Sequence, residues 1–161
     1  MAREAPALHL LMAGMEDEVG LEGRLKERVR VLGLAHRVTW AGQIEEGLKW
    51  GAFLASTAFI LPSHQENFGL AVAEALACGV PVLISNKVNI WHEIDAGGAG
   101  IVEDDDLAGT VRLLRRWNAL GADGQEAMRR RAGDCFANHF RIERVAESLV
   151  GTLRRGTVSS S

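Results

Sequence analysis

Glu66 and Glu74 stand with seven residues between them in the stretch Pro62-Ser63-His64-Gln65-Glu66-Asn67-Phe68-Gly69-Leu70-Ala71-Val72-Ala73-Glu74-Ala75-Leu76-Ala77-Cys78-Gly79-Val80-Pro81-Val82. A short apolar run precedes the stretch, polar residues open it, and a small-residue helix follows. Helical spacing puts Asn67, Leu70 or Ala71, Glu74 and Cys78 on one face. Gly69 leaves the amides at the helix start unshielded. Such amides, at the positive end of the helix dipole, suit a phosphate or a polar sugar. An ionised glutamate accepts hydrogen bonds from hydroxyls and can grip a vicinal diol. Two glutamates flanking that amide cluster fit hydroxyls on both sides of a diphosphate, the chemistry of a nucleotide-sugar. A glycosidase carboxylate pair is the alternative; the amides between the two acids weigh against it.

Alternating elements must position this stretch. Short apolar runs at Leu8–Gly14, Arg37–Gly42, Thr57–Leu61, Val80–Ile84 and Gly100–Val102 read as strands. Helical patterns run from Leu21 to Leu32, closed by Gly33, from Glu45 to about Ser56, and from Phe68 to Cys78, ended by Gly79. Three more helices are expected over Asp105–Leu120, Asp123–His139 and Arg141–Arg155. Residues 157–161 read as a frayed tail. Strands alternating with amphipathic helices predict a parallel sheet with right-handed crossovers. The fold class is α/β, a Rossmann-like parallel sheet flanked by helices in three layers, with a helical carboxyl-terminal end. Residues 1–156 are taken as one domain. Ligands bind outside the carboxyl ends of such strands, which selects the loops Gly14–Gly20, Pro62–Phe68 and Ser85–Trp91.

The surroundings of the two glutamates resemble the retaining glycosyltransferases of family four. Glu66 and Glu74 have that family's Glu, seven residues, Glu spacing. Pro62-Ser63, Phe68-Gly69-Leu70 and Glu74 to Val82 match its flanking pattern. Met12-Ala13-Gly14, Leu32-Gly33-Leu34 and Arg37-Val38-Thr39-Trp40-Ala41-Gly42 resemble its upstream half; Glu93-Ile94 and Gly98 to Val102 resemble its next turn. The likeness covers about Leu8 to Val111. It implies the carboxyl-terminal, donor-binding half of a GT-B fold. By that resemblance Glu66 is the catalytic residue, binding hydroxyls of the donor sugar and supporting the transition state. The amides of Phe68, Gly69 and Leu70 hold the sugar and distal phosphate, Asn67 lines the donor site, and Glu74 holds the ribose hydroxyls. The departing diphosphate helps to deprotonate the acceptor, so the main task is electrostatic. No metal and no cofactor is implied. The partners are a nucleotide-sugar donor and a glycan or lipid-linked acceptor held by an amino-terminal domain.

Family members neutralise the diphosphate with an Arg and a Lys set in a preceding strand and helix. This sequence begins at the next strand and shows neither; Arg3 is too isolated to substitute. The expectation is therefore a domain truncated at its start and inactive by itself. A sugar-nucleotide epimerase of similar architecture and a non-catalytic binding module on the same fold remain the alternatives.

Other residues carry blander readings beside functional ones. Lys87 lies at the ligand end of the sheet and His64 precedes Glu66, but exposed loop residues of these types are usually solvated. His92 and Glu93 are adjacent, and neighbours on a helix do not face each other. Cys78 reads as a small core residue, and Cys135 as packed with Phe136 and Phe140. Trp117 joins Leu113, Leu114 and Leu120 in a core stripe. Arg129-Arg130-Arg131 reads as a solvated helix face, with contact to a membrane surface or the missing domain as the sharper alternative.

Composition sets the outer bounds. The chain has 161 residues, 47% hydrophobic and 24% charged, with a net charge of −3. That balance suits one ordinary globular domain and argues against a dedicated nucleic-acid binder, which needs a basic footprint. No apolar run reaches the roughly 18 residues of a membrane span, and MAREAPALHL lacks the pattern of a secretory signal. The two cysteines form no CxxC and read as reduced thiols. The expected location is cytoplasmic, with peripheral contact at the inner face of the membrane left open.

Overall fold

The computed structural model describes residues 8–14, 19–67 and 69–141, with Glu46 described by its backbone alone. The contacts gather into two compact units, Met1–Ala52 and Phe53–Ser161. The helix expected from Arg141 onward and the tail lie outside the described residues.

In the first unit, β1 (Leu10–Ala13) pairs in parallel with β2 (Val38–Gly42), Leu10 opposite Val38 and Met12 opposite Trp40. Helix α1 (Leu21–Val31) connects them, followed by a short 3-10 turn at Ala35–Arg37. The turn after α1 closes with Gly33 N–H donating to Arg30 and Leu34 N–H donating to Val29, a Schellman arrangement. The strand β1 departs from expectation. An apolar run predicts burial, yet Leu10 and Leu11 are 41% and 40% exposed. Among the described residues β1 has one strand neighbour, β2, so apolar composition alone does not bury it.

Helix α2 (Glu46–Ala55) carries Phe53, the first residue of the second unit, into that unit's core. There β3 (Phe59–Leu61), β4 (Val82–Ser85) and β5 (Gly100–Glu103) form a parallel sheet with β4 in the centre. The crossovers are α3 (Leu70–Ala77) and α4 (Trp91–Ala96); α5 (Leu107–Ala119) and α6 (Gly121–His139) follow. All four residues of β4 are buried, as a strand covered on both faces requires. Its side chains alternate between two cores. Val82 and Ile84 pack with Val72, Ala75 and Leu76 of α3, Ile94 of α4, and Ala132 and Cys135 of α6. Leu83 packs with Ile101, with Leu113 and Trp117 of α5, and with Met128 of α6. These are the three layers read from the sequence.

Two local features were not legible. Helix α4 has six residues and one fully buried side chain, Ile94, too little for a periodic signal. The predicted stripe of α5 holds for Leu113 and Trp117, but Leu120 falls at the helix end and is exposed.

Candidate functional site

The carboxyl ends of β3, β4 and β5 bring three loops together in the second unit. The first runs from Pro62 to Gly69 and enters α3. Gly69 caps that helix with φ 68° and ψ 46°, a conformation costly for residues with a Cβ. It is also crowded, since a Cβ there would stand 3.0 Å from Val88 Cγ1. The far end of α3 closes on Gly79, also at positive φ, with Gly79 N–H donating to Leu76 and Val80 N–H to Ala75. Glycine at both ends thus fixes an eight-residue helix between strand and loop.

Glu66 is half-buried at the entrance of that helix. Its Oε1 accepts from the Gly69 N–H at 3.1 Å. Its backbone is held as firmly: Glu66 N–H donates to Lys87 O at 3.2 Å, and Asn89 N–H donates to Glu66 O at 3.2 Å. The loop therefore borrows one parallel bridge, Glu66 to Val88, from the neighbouring loop. This carboxylate bonds the amide of the N-cap residue, just ahead of the first turn, where negative charge is favoured. The Gly69 amide, one of three expected to face a donor, is engaged with it. Phe68 and its amide lie outside the described residues. In the first turn of α3, Val72 N–H donates to Gly69 O at 2.8 Å; the Leu70 and Ala71 amides precede the first carbonyl that the helix ladder offers.

Glu74 is half-buried one turn beyond Leu70. The buried side of α3 is Val72, Ala73, Ala75 and Leu76. The other side carries Leu70, 63% exposed, with Ala71, Glu74, Ala77 and Cys78. The predicted face is therefore the less buried one, with Asn67 exposed just ahead of it. Burial, followed by the nearby Glu74 charge, pushes the Cys78 thiol above its ordinary range, with Arg129 opposing.

The loops are cross-linked by polar contacts that sequence reasoning missed. Ser85, at the end of β4, is wholly buried; its hydroxyl donates to Ser63 O and accepts from Lys87 N–H at 3.3 Å. Ser63 Oγ donates to Gln65 O at 2.9 Å. Asn86 N–H donates to Glu103 O, and its side-chain amide donates to Asp104 Oδ1 at 3.0 Å. The available signal was a hydroxyl ending an otherwise apolar buried strand, since buried polar groups are almost always bonded.

The remaining candidates have mundane partners. His64 is exposed, with Nδ1 3.1 Å from Asp105 Oδ2, and that hydrogen bond holds the Asp105 carboxyl below its ordinary range. Lys87 is exposed. Arg129 donates to Ser56 O, Arg130 lies 3.5 Å from Glu126, and Arg131 donates to Gly98 O. The basic run is thus stitched to its own fold. Cys135 is buried, with Phe136 and Phe140 packed against the same cluster. Among the described residues no group of three His, Cys, Asp or Glu is placed to hold a metal ion. No helix among them is long and apolar enough to cross a membrane.

In the second unit, a parallel sheet covered by helices on both faces, with Glu66 fixed ahead of the helix that follows β3, defines a Rossmann-like α/β architecture, the one expected for half of a GT-B fold. The chain belongs to the family described as glycosyl transferases group 1, whose family model matches residues 1–129. A D-inositol 3-phosphate glycosyltransferase of Rhodococcus opacus (strain B4) is 31% identical over 162 residues, covering 96% of this chain. The chain spans 35% of that curated relative's length. Among solved structures, sucrose-phosphate synthase from Thermosynechococcus elongatus is 25% identical, with a TM-score of 0.74 over 95% of this chain and 39% of its own. Anabaena HepE, solved in complex with UDP-glucose, has a TM-score of 0.76 at 20% identity, over 93% of this chain and 42% of its own. That last likeness speaks for the fold.

Proposed function

We propose that this chain is the donor-binding portion of a retaining glycosyltransferase, taking a nucleoside-diphosphate sugar. One observation carries the reading: within a group 1 chain, the loop after β3 fixes Glu66 at the start of α3, and Glu74 stands on the less buried side of that helix. In this reading Glu74 accepts hydrogen bonds from the ribose hydroxyls. Asn67 and the amides of Phe68, Gly69 and Leu70 face the sugar and distal phosphate. The Glu66 carboxylate has a second oxygen for a sugar hydroxyl while Oε1 keeps the Gly69 amide. Held there, its negative charge favours the positive character that develops at the sugar carbon as the diphosphate departs.

The diphosphate is stabilised by the amides at the start of α3, with no metal and no cofactor. The acceptor, a glycan or a lipid-linked glycan, is bound by a further domain. The location is cytoplasmic, with peripheral contact at a membrane face. That HepE was solved with UDP-glucose supports testing this donor first. Calorimetry of the 161-residue chain with UDP-glucose is the test. Weak binding is expected, with affinity falling at least tenfold, about 1.4 kcal/mol, in Glu74→Ala and unchanged by EDTA. Binding too weak to measure at millimolar ligand, in the chain and in Glu74→Ala alike, would refute the donor reading and favour a non-catalytic module.

A further inference from the structure

We propose that Ser85 is the positioning residue for Glu66, acting through the loop that carries the glutamate. The inference rests on the donor-site reading for its functional meaning, and on geometry for its substance. Ser85 is the single polar side chain that is fully buried among the described residues. It ends β4, the central strand, whose backbone is bonded on both sides. Strand β4 is thus the most firmly fixed element at this end of the sheet.

One hydroxyl fastens two loops to it. As a donor it takes Ser63 O, in the loop that leads to Glu66; as an acceptor it takes Lys87 N–H, in the next loop. Lys87 O then receives the Glu66 N–H, and Asn89 N–H returns to Glu66 O. The relay closes where the Glu66 carboxylate meets the Gly69 amide. A serine hydroxyl offers donor and acceptor from one atom, which a buried alanine or valine does not. Without it, Ser63 O and Lys87 N–H lose this partner, and the Glu66 loop keeps its backbone bridge and the exposed His64 to Asp105 contact.

Amide hydrogen exchange on the full chain reads this directly, because local opening and global unfolding accelerate different sets of amides. In Ser85→Ala, exchange at Glu66, Gly69 and Asn89 is expected to rise at least tenfold more than at Leu83 and Ile84 in β4. Ser85→Thr, which keeps the hydroxyl, is expected to restore most of that protection. Ile101→Val, a core truncation in the neighbouring strand β5, is expected to accelerate both sets in equal proportion. Should Ser85→Ala fail to fold, Ser85→Cys, close in volume and a weak donor, carries the same comparison. Equal acceleration of both sets in the Ser85 variants, or no change at the three loop amides, would overturn the positioning role. Absence of UDP-glucose binding by the unaltered chain would overturn the donor reading instead, and the exchange result would still decide Ser85.

Discussion

Substituting Gly69 by alanine separates the backbone demands of the site from its chemistry. The N–H that bonds Glu66 is retained, so the loss measures conformation and packing alone. Two contributions follow from the geometry. Gly69 holds φ 68° and ψ 46°, where a residue with a Cβ pays about 1–2 kcal/mol. The new Cβ would also stand 3.0 Å from Val88 Cγ1. Val88 is fully buried, so its retreat has the character of core overpacking, about 1–3 kcal/mol. A destabilisation of about 2–5 kcal/mol is expected, which lowers Tm by roughly 5–25 °C for a cooperative unit near 100 residues or somewhat larger. Urea unfolding followed by circular dichroism measures it. The double variant Gly69→Ala with Val88→Ala apportions the two parts. If the contact matters, the pair is less destabilised than the sum of the singles by about 0.5–1 kcal/mol or more. Gly69→Asn tolerates the left-handed backbone but adds more atoms against Val88, so it gains nothing over alanine. A loss below about 0.5 kcal/mol in Gly69→Ala would refute the account of this helix start.

Two further outcomes are expected. Hydrogen bonding from Arg112 holds the Glu103 carboxyl below its ordinary value of 4.5, with burial opposing and Arg116 assisting. The unfolded chain binds this proton more readily, so the stabilisation is complete above about pH 4.5 and is lost as pH falls through the lowered folded value. Urea midpoints between pH 7 and pH 3 should therefore fall more steeply for the unaltered chain than for Glu103→Gln, and parallel curves would contradict the pairing. Burial pushes the Cys135 thiol up to about 11, leaving little thiolate at pH 8. A thiol reagent at that pH should modify Cys78 well before Cys135 in the folded chain, as read by mass spectrometry of digested peptides.

The sequence by itself determined the alternation of strands and helices, because buried parallel strands are short apolar runs and their crossovers carry a different period. Gly33 and Gly79 marked two helix ends because left-handed turns select glycine. The Glu66 to Glu74 stretch named the candidate site because a strand, a polar loop and a small-residue helix follow one another within a single run of chain. Helical spacing also grouped Glu74 with Asn67, Leu70 or Ala71 and Cys78 on one face of α3; packing decided that this face is the less buried one. The depth of burial was not legible, since that depends on what packs from elsewhere: β1 and β4 are both apolar, yet β1 stays exposed and all of β4 is covered. Nor was the role of Ser85, whose partners Ser63 and Lys87 are chosen by which loops the sheet order makes neighbours. Tertiary structure also decided that the Glu66 carboxylate turns back to the Gly69 amide. Sequence spacing fixes which groups are close along the chain; only the packing of β3 beside β4 fixes which bonds they make.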